Sequence, residues 1–260
     1  MKHALSPEAI NQGLDTRFIG QRVTCYPSLP STNELAKEEA RRGVAEGTVI
    51  VAEEQTAGKG RLKRAWLSPK GSLSLSVILY PALEHLPSLI MVASLAVAHA
   101  IKAVTGIEAQ IKWPNDVLIG SKKVCGILVE SEVRGEAVSY AVVGIGVNVN
   151  LKVSDLPELA PAATSLSHEL GREVSRLRLV KSLLVEMERL YLALLGGGAN
   201  YEEWRGRLAT LGKEVSVASG EAEYSGIAES VARDGSLLVR RSDGSLSRIV
   251  AGDVTLRHQT

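Results

Sequence analysis

Two rhythms of apolar and polar positions run along this chain, and they give way to one near residue 210. Ser72-Leu73-Ser74-Leu75-Ser76-Val77 repeats with period two, leucine and valine on one face and serine on the other, which predicts a half-buried strand. Residues 22–27, 48–54, 124–133 and 137–149 read as further strands, the last two joined by a short turn at Arg134-Gly135, and another strand leads into Trp113. The run 86–104 is apolar on most faces, which suits a helix packed across a sheet and stopped by Gly106. Ser31-Thr32-Asn33-Glu34 has the S-x-x-E form of a capping box and opens a helix that should stop at Gly43. Helical patterns recur at 164–170, 176–195 and 201–211. Beyond Gly212 only short strands remain, punctuated by Ser219-Gly220, Asp234-Gly235 and Asp243-Gly244, with the spacing of a small β-barrel of SH3 size. The expected architecture is α+β: a mixed β-sheet flanked by helices, then a small SH3-like β-barrel. The expected divisions are a leader at 1–16, a main domain at 17–211 and the barrel at 212–260.

Composition narrows function by exclusion. With 260 residues, 45% hydrophobic, the chain can bury a substantial core. Its 30 Lys and Arg against 29 Asp and Glu leave a net charge of +1, so the molecule as a whole does not draw in nucleic acid or an anionic membrane. Any anion site must be local. The N-terminus lacks the apolar core of a signal peptide, no uncharged apolar run reaches bilayer length, and the expected compartment is cytoplasmic. Cys25 and Cys125 are too few for a disulfide framework and read as apolar residues; the five histidines form no metal or acid-base constellation, and His99 reads as a satisfied structural side chain.

A local anion site is offered by Glu53 to Pro69, EEQTAGKGRLKRAWLSP, between two strands. Gly58 and Gly60 let backbone amides approach an anion closely, while Lys59, Arg61 and Arg64 supply charge and, for arginine, paired donors that match phosphate or carboxylate. The stretch lacks G-x-x-x-x-G-K-[ST], so it is not a P-loop; a solvated basic turn is the plain alternative. Gly144-Ile145-Gly146-Val147-Asn148 lacks the third glycine of a dinucleotide fingerprint. In Lys112-Trp113-Pro114-Asn115-Asp116, proline breaks a strand where charged, amide and aromatic side chains cluster, which is either a site at a strand end or a turn capped by its own Asn and Asp.

Taken together, Ser31-Thr32-Asn33, Gln55 to Arg61, Lys112 to Asp116, Lys123 with Gly126-Ile127-Leu128-Val129-Glu130, and Gly144 to Asn148 resemble the biotin protein ligases, in the family's order. The resemblance continues through Ala163-Thr164-Ser165-Leu166, Trp204 and the C-terminal strands, from about residue 17 to the end. It implies a class II synthetase-like fold and a two-step reaction: biotin is activated by MgATP to biotinyl-5′-AMP and pyrophosphate, then passed to a lysine of a biotin carboxyl carrier domain. The cofactor and substrates implied are Mg²⁺, ATP and biotin. The resemblance assigns Ser31, Thr32, Asn33, Gln55, Gly126 and Gly144 to biotin, with Gly58, Lys59, Gly60 and Arg61 covering the ligand. Lys123 is expected beside the biotin carboxylate and the α-phosphate as the central catalytic cation. Arg61 and Arg64 are expected at the adenylate phosphate, and Lys112, Asn115, Asp116 and Asn148 on the nucleotide side. For Asp116 two roles stand open, Mg²⁺ binding and orienting the acceptor lysine. Trp66 and Trp113 would wall the pocket or be core.

Three departures bear on the transfer. Lys59 stands where many relatives have Arg, and Ala163 where some place a tryptophan over the adenine. About 16 residues precede the resembling region, too few for the winged helix of relatives that repress transcription, so DNA is not an expected partner. A homodimer is expected from the family alone. The alternatives are a lipoate-type acyl-adenylate ligase and a biotin-binding regulator without turnover.

Overall fold

A computed structural model describes residues 5–152, 162–198, 200–219 and 222–256. After α1 (Pro7–Asn11) the chain runs β1 (Val23–Tyr26), α2 (Thr32–Arg41), β2 (Val49–Ala52) and β3 (Leu73–Leu79). Then come α3 (Leu89–Thr105), β4 (Gln110–Lys112), β5 (Asp116–Ile119), β6 (Lys122–Arg134) and β7 (Ala137–Val147). Three helices follow, α4 (Leu166–Leu170), α5 (Arg176–Leu195) and α6 (Tyr201–Gly206). The chain closes with β8 (Glu214–Ser219), β9 (Ala222–Val231), β10 (Leu237–Arg240), β11 (Leu246–Ile249) and β12 (Asp253–Leu256). The first seven strands form one sheet in the order β1-β2-β3-β7-β6-β5-β4; β1 and β2 are parallel and the other neighbours antiparallel. The last five form an antiparallel sheet in the order β11-β10-β9-β8-β12. This is the α+β fold the pattern predicts.

Helix α3 lies across one face of the large sheet with α5 outside it. The stretch Leu83–Thr105 is long and apolar enough to span a bilayer, but most of it is buried inside the protein, which identifies it as a core helix. Leu73, Leu75 and Val77 of β3 point into this core. The serine face of β3 is not solvated as the period-two pattern suggests. Ser74 and Ser76 are fully buried because α2 covers that side of the sheet, and Ser76 Oγ donates toward Thr32 Oγ1 at 2.8 Å and Asn33 Oδ1 at 2.6 Å. Alternation separates the two faces of a strand but does not say which of them meets water.

Three other differences are local. Ser31 occupies the N-cap of α2 but makes no side-chain capping bond, and Glu34 reaches Lys37 and Lys59 instead of closing the capping box. The helix expected at 201–211 ends at Gly206, because the Arg207 carbonyl and the Ala209 amide are taken by Ile111, extending the sheet edge beside β4. The segment read as a leader contributes Leu5 and Ile10 to the main core. The turn expected at Ser219-Gly220 lies partly outside the described residues, as does the extreme C-terminus.

Candidate active site

On the α2 side of the large sheet, Ile78, Tyr140 and Val142 pack against Ala36 and Ala40 of the helix, while beyond them the positions of β3, β6 and β7 are mostly serine and glycine. Cross-strand register puts Ser76, Gly144 and Leu128 in one row and Ser74, Gly146 and Gly126 in the next. The glycines are required by what lies on them: a Cβ on Gly144 would coincide with Asn33 Oδ1, and one on Gly146 would coincide with the Trp66 indole. A Cβ on Gly126 would press Trp66 and the end of the Lys123 side chain. The result is a flat floor beneath an open cleft lined by α2, the glycine-rich loop and the strand ends.

One end of the cleft is polar and largely neutral. Thr32 donates its backbone N–H to Gln55 Oε1 at 2.8 Å and its hydroxyl to the same oxygen at 3.1 Å. Asn33 donates through Nδ2 to Glu130 at 2.8 Å and to the Leu128 carbonyl at 3.3 Å. Ser31 completes this end, its hydroxyl not spent on the helix cap. Donors and acceptors are thus held in fixed directions at one helix N-terminus.

The other end is cationic. Lys123, placed by the β-bulge where β6 pairs with Val117 and Leu118, sets Nζ 2.6 Å from Asp116 Oδ1 and 5.1 Å from the Trp66 ring centroid. Arg61 donates to Asn115 Oδ1 at 3.2 Å and to the Gly252 carbonyl at 3.1 Å, while Arg64 pairs with Asp253. Asn115 is itself fixed by Nδ2–H donated to the Ile127 carbonyl at 2.8 Å. Burial pulls the Arg61 guanidinium below its ordinary value, opposed by the charges of Asp253 and Asp116. Lys59, Arg61, Arg64 and Lys123 face Asp116 and Asp253 around one cleft, so cations outnumber carboxylates and an anion is favoured. Trp66 Nε1 is buried without a hydrogen-bond partner among the described residues.

The structure therefore brings together Ser31, Thr32, Asn33, Gln55, Lys59, Gly60, Arg61, Arg64, Trp66, Asn115, Asp116, Lys123, Gly126 and Gly144. Gly58 packs beneath the Trp66 carbonyl and lets the loop fold back against Gln55. Lys112 pairs with Asp116 across the β4–β5 turn and does not line the cleft. Asn148 is buried off the cleft, where Nδ2 donates to the Thr164 carbonyl at 3.0 Å and Leu166 N–H donates to its backbone oxygen. Trp113 is core: it is 2% exposed, and its Nε1 donates to the Gly235 carbonyl at 2.8 Å, joining the two sheets. Sequence reading did not single out Asp253 or Gly252. They come from the C-terminal sheet, far along the chain from the loop they hold, and no local pattern marks them. Among the described residues no group of three or more His, Cys, Asp or Glu is arranged to hold a metal.

Residues 25–148 match the Biotin/lipoate A/B protein ligase family, and residues 210–257 the Biotin protein ligase C terminal domain. The chain is 34% identical, over 97% of its length and 79% of the relative's, to the bifunctional ligase/repressor BirA of Bacillus subtilis. It is 32% identical to the biotin--[acetyl-CoA-carboxylase] ligase of Mycobacterium tuberculosis, over 96% of both chains. The biotin protein ligase of Aquifex aeolicus, solved in complex with biotin and ATP, superposes with a TM-score of 0.78 at 30% identity, covering 92% of this chain and 100% of that one.

Proposed function

The chain belongs to the biotin protein ligase family and is a ligase, and on that footing we propose that it joins biotin to AMP and then to a carrier-protein lysine. The observation that carries the reading is the meeting, over one glycine floor, of a neutral hydrogen-bonding end with Lys123, Arg61 and Arg64. In the first step a biotin carboxylate oxygen attacks the α-phosphorus of ATP, the bond to the bridging oxygen breaks, and pyrophosphate leaves. In the second the carrier lysine's neutral amine attacks the acyl carbon, the amide forms, the amine loses a proton and AMP departs.

No side chain of the protein needs to become covalently attached in either step. The requirement is that two anions be brought together and held in line. The ring end, Ser31, Thr32, Asn33 and Gln55, would fix biotin by its ureido group, with the chain running over Gly126 and Gly144 toward Lys123. Lys123 then meets the carboxylate and the α-phosphate together, and Arg61 and Arg64 reach the phosphate oxygens. Asn115 orients Arg61, and Trp66 closes the cleft against water. Mg²⁺ would neutralise phosphate charge. Asp116, paired with Lys123, is the carboxylate that would hold it, and a single protein ligand suits an ion held mainly by phosphate and water. In this reading 17–211 is the catalytic unit, 212–260 the barrel that holds the loop arginines, the acceptor is a biotin carboxyl carrier domain, and the setting is the cytoplasm.

The test is mass spectrometry of products after incubation with MgATP and equal amounts of biotin and lipoate, on wild type and Lys123→Ala. Biotinyl-AMP from wild type, strongly reduced in the variant, is expected. Lipoyl-AMP would transfer the reading to lipoate, and bound biotin with no adenylate would sink the activation step.

A further inference from the structure

Glu34 is the third residue of α2, where a helix N-terminus favours a carboxylate and a capping box would use it to bind the Ser31 amide. It is used otherwise. Its Oε1 accepts from Lys59 Nζ at 2.6 Å, across 25 residues of chain, and from Lys37 Nζ at 3.1 Å. Lys37 continues to Glu130 Oε1 at 2.8 Å, and Glu130 Oε2 accepts from Asn33 Nδ2 at 2.8 Å. Lys59 lines the cleft from the glycine-rich loop and Asn33 lines it from the polar end, while Glu34, beside Asn33 in α2, bonds Lys59.

We propose that Glu34 is a positioning residue: it tethers the basic loop over the cleft through Lys59 and couples that closure, through Lys37 and Glu130, to the Asn33 end of the site. The lysines hold the Glu34 carboxyl below its ordinary value, the Lys59 contact contributing most, which agrees with a pair formed at neutral pH. This rests on the ligase reading for its consequence in catalysis, but the tether itself can be measured without turnover. The Lys59 side chain is 52% exposed and that of Glu34 40%, so the pair is screened by salt and its effect is moderate.

The experiment is limited trypsin digestion of ligand-free protein, with cleavage after Arg61 and Arg64 followed by mass spectrometry for wild type, Glu34→Gln, Lys59→Gln and the double variant. Loop cleavage is expected to rise about three- to tenfold in each single variant and no further in the double, with the thermal midpoint and cleavage elsewhere unchanged. In wild type the rate should rise with added salt, and in Glu34→Gln it should not. In biotin titrations of adenylate formation, Glu34→Gln should raise KM for biotin about two- to fivefold and leave kcat within twofold. Equal loop cleavage in all four proteins, additive effects, or faster cleavage throughout the chain with a lower midpoint would overturn the tether. Absence of adenylate from wild type would instead overturn the ligase reading and leave the digestion result standing.

Discussion

Lys123 Nζ and Asp116 Oδ1 meet at 2.6 Å although the strand register pairs Lys123 with Leu118 and Asp116 with Gly126. The bulge between Val117 and Leu118 turns the lysine along the strand toward the cleft, where the indole of Trp66 lies over it. A cation placed between a carboxylate and an aromatic face is available to a second anion. Replacing Lys123 with Met should lower the rate of adenylate formation about 100- to 1000-fold, as removal of one donor to developing charge does, while folding is retained. Pyrophosphate release against a thermal melt measures both; a fall under tenfold would remove Lys123 from the centre of the reaction.

Gly144 is the point where floor and polar end touch, since any Cβ there would coincide with Asn33 Oδ1. Gly144→Ala must push Asn33 away from Ser76 and break a fully buried hydrogen bond. The expected cost is about 1–3 kcal/mol of stability together with a biotin KM raised at least about tenfold. Gly146→Ala should act on Trp66 instead, changing indole fluorescence and raising KM for both substrates. Calorimetry and titration separate the two; equal effects from both glycines would contradict the division of the floor.

The contiguous parts of the site were legible because glycine, lysine and arginine within one loop, or Asn and Asp after a strand-breaking proline, keep their neighbours in any fold. The floor was less so. Ser74 and Ser76 announced a polar face, but only α2 lying over it shows that this face is buried and lines the site's support. Asn148 and Lys112 belong to the same motifs, yet Asn148 lies past the end of β7, where its amide is spent on the Thr164 carbonyl, and Lys112 does not line the cleft; neither outcome follows from strand alternation. Glu34 fitted a local cap so well that its long-range use was hidden, and no period or motif connects Asp253 to Arg64.

The two thiols test whether cysteine chemistry enters at all. Burial and the nearby charges of Glu53 and Glu8 push Cys25 up to about 11, and complete burial pushes Cys125 up as well. Both should remain thiols at pH 8. Iodoacetamide labelling of folded protein is expected to run about tenfold or more below that of the urea-unfolded chain, and activity should survive treatment. Rapid inactivation would mean that the half-buried Cys25, or an opening that frees the buried Cys125, bears on activity.

The junction between the sheets supplies the last test. Asp253 pairs with Arg64 and the Gly252 carbonyl accepts from Arg61, and because each guanidinium carries five N–H donors, donors remain for phosphate. With the Arg64 side chain 70% exposed, losing the pair costs little in stability, well under about 1 kcal/mol, but it removes the arginine's fixed direction. Asp253→Asn is therefore expected to raise KM for ATP about two- to fivefold with biotin KM unchanged, and Asp253→Glu to recover part of the loss. The opposite sign is equally readable. If Asp253 chiefly repels the incoming phosphates, the Asn variant will bind ATP more tightly, and the carboxylate would then be a competitor for Arg64 in place of its support.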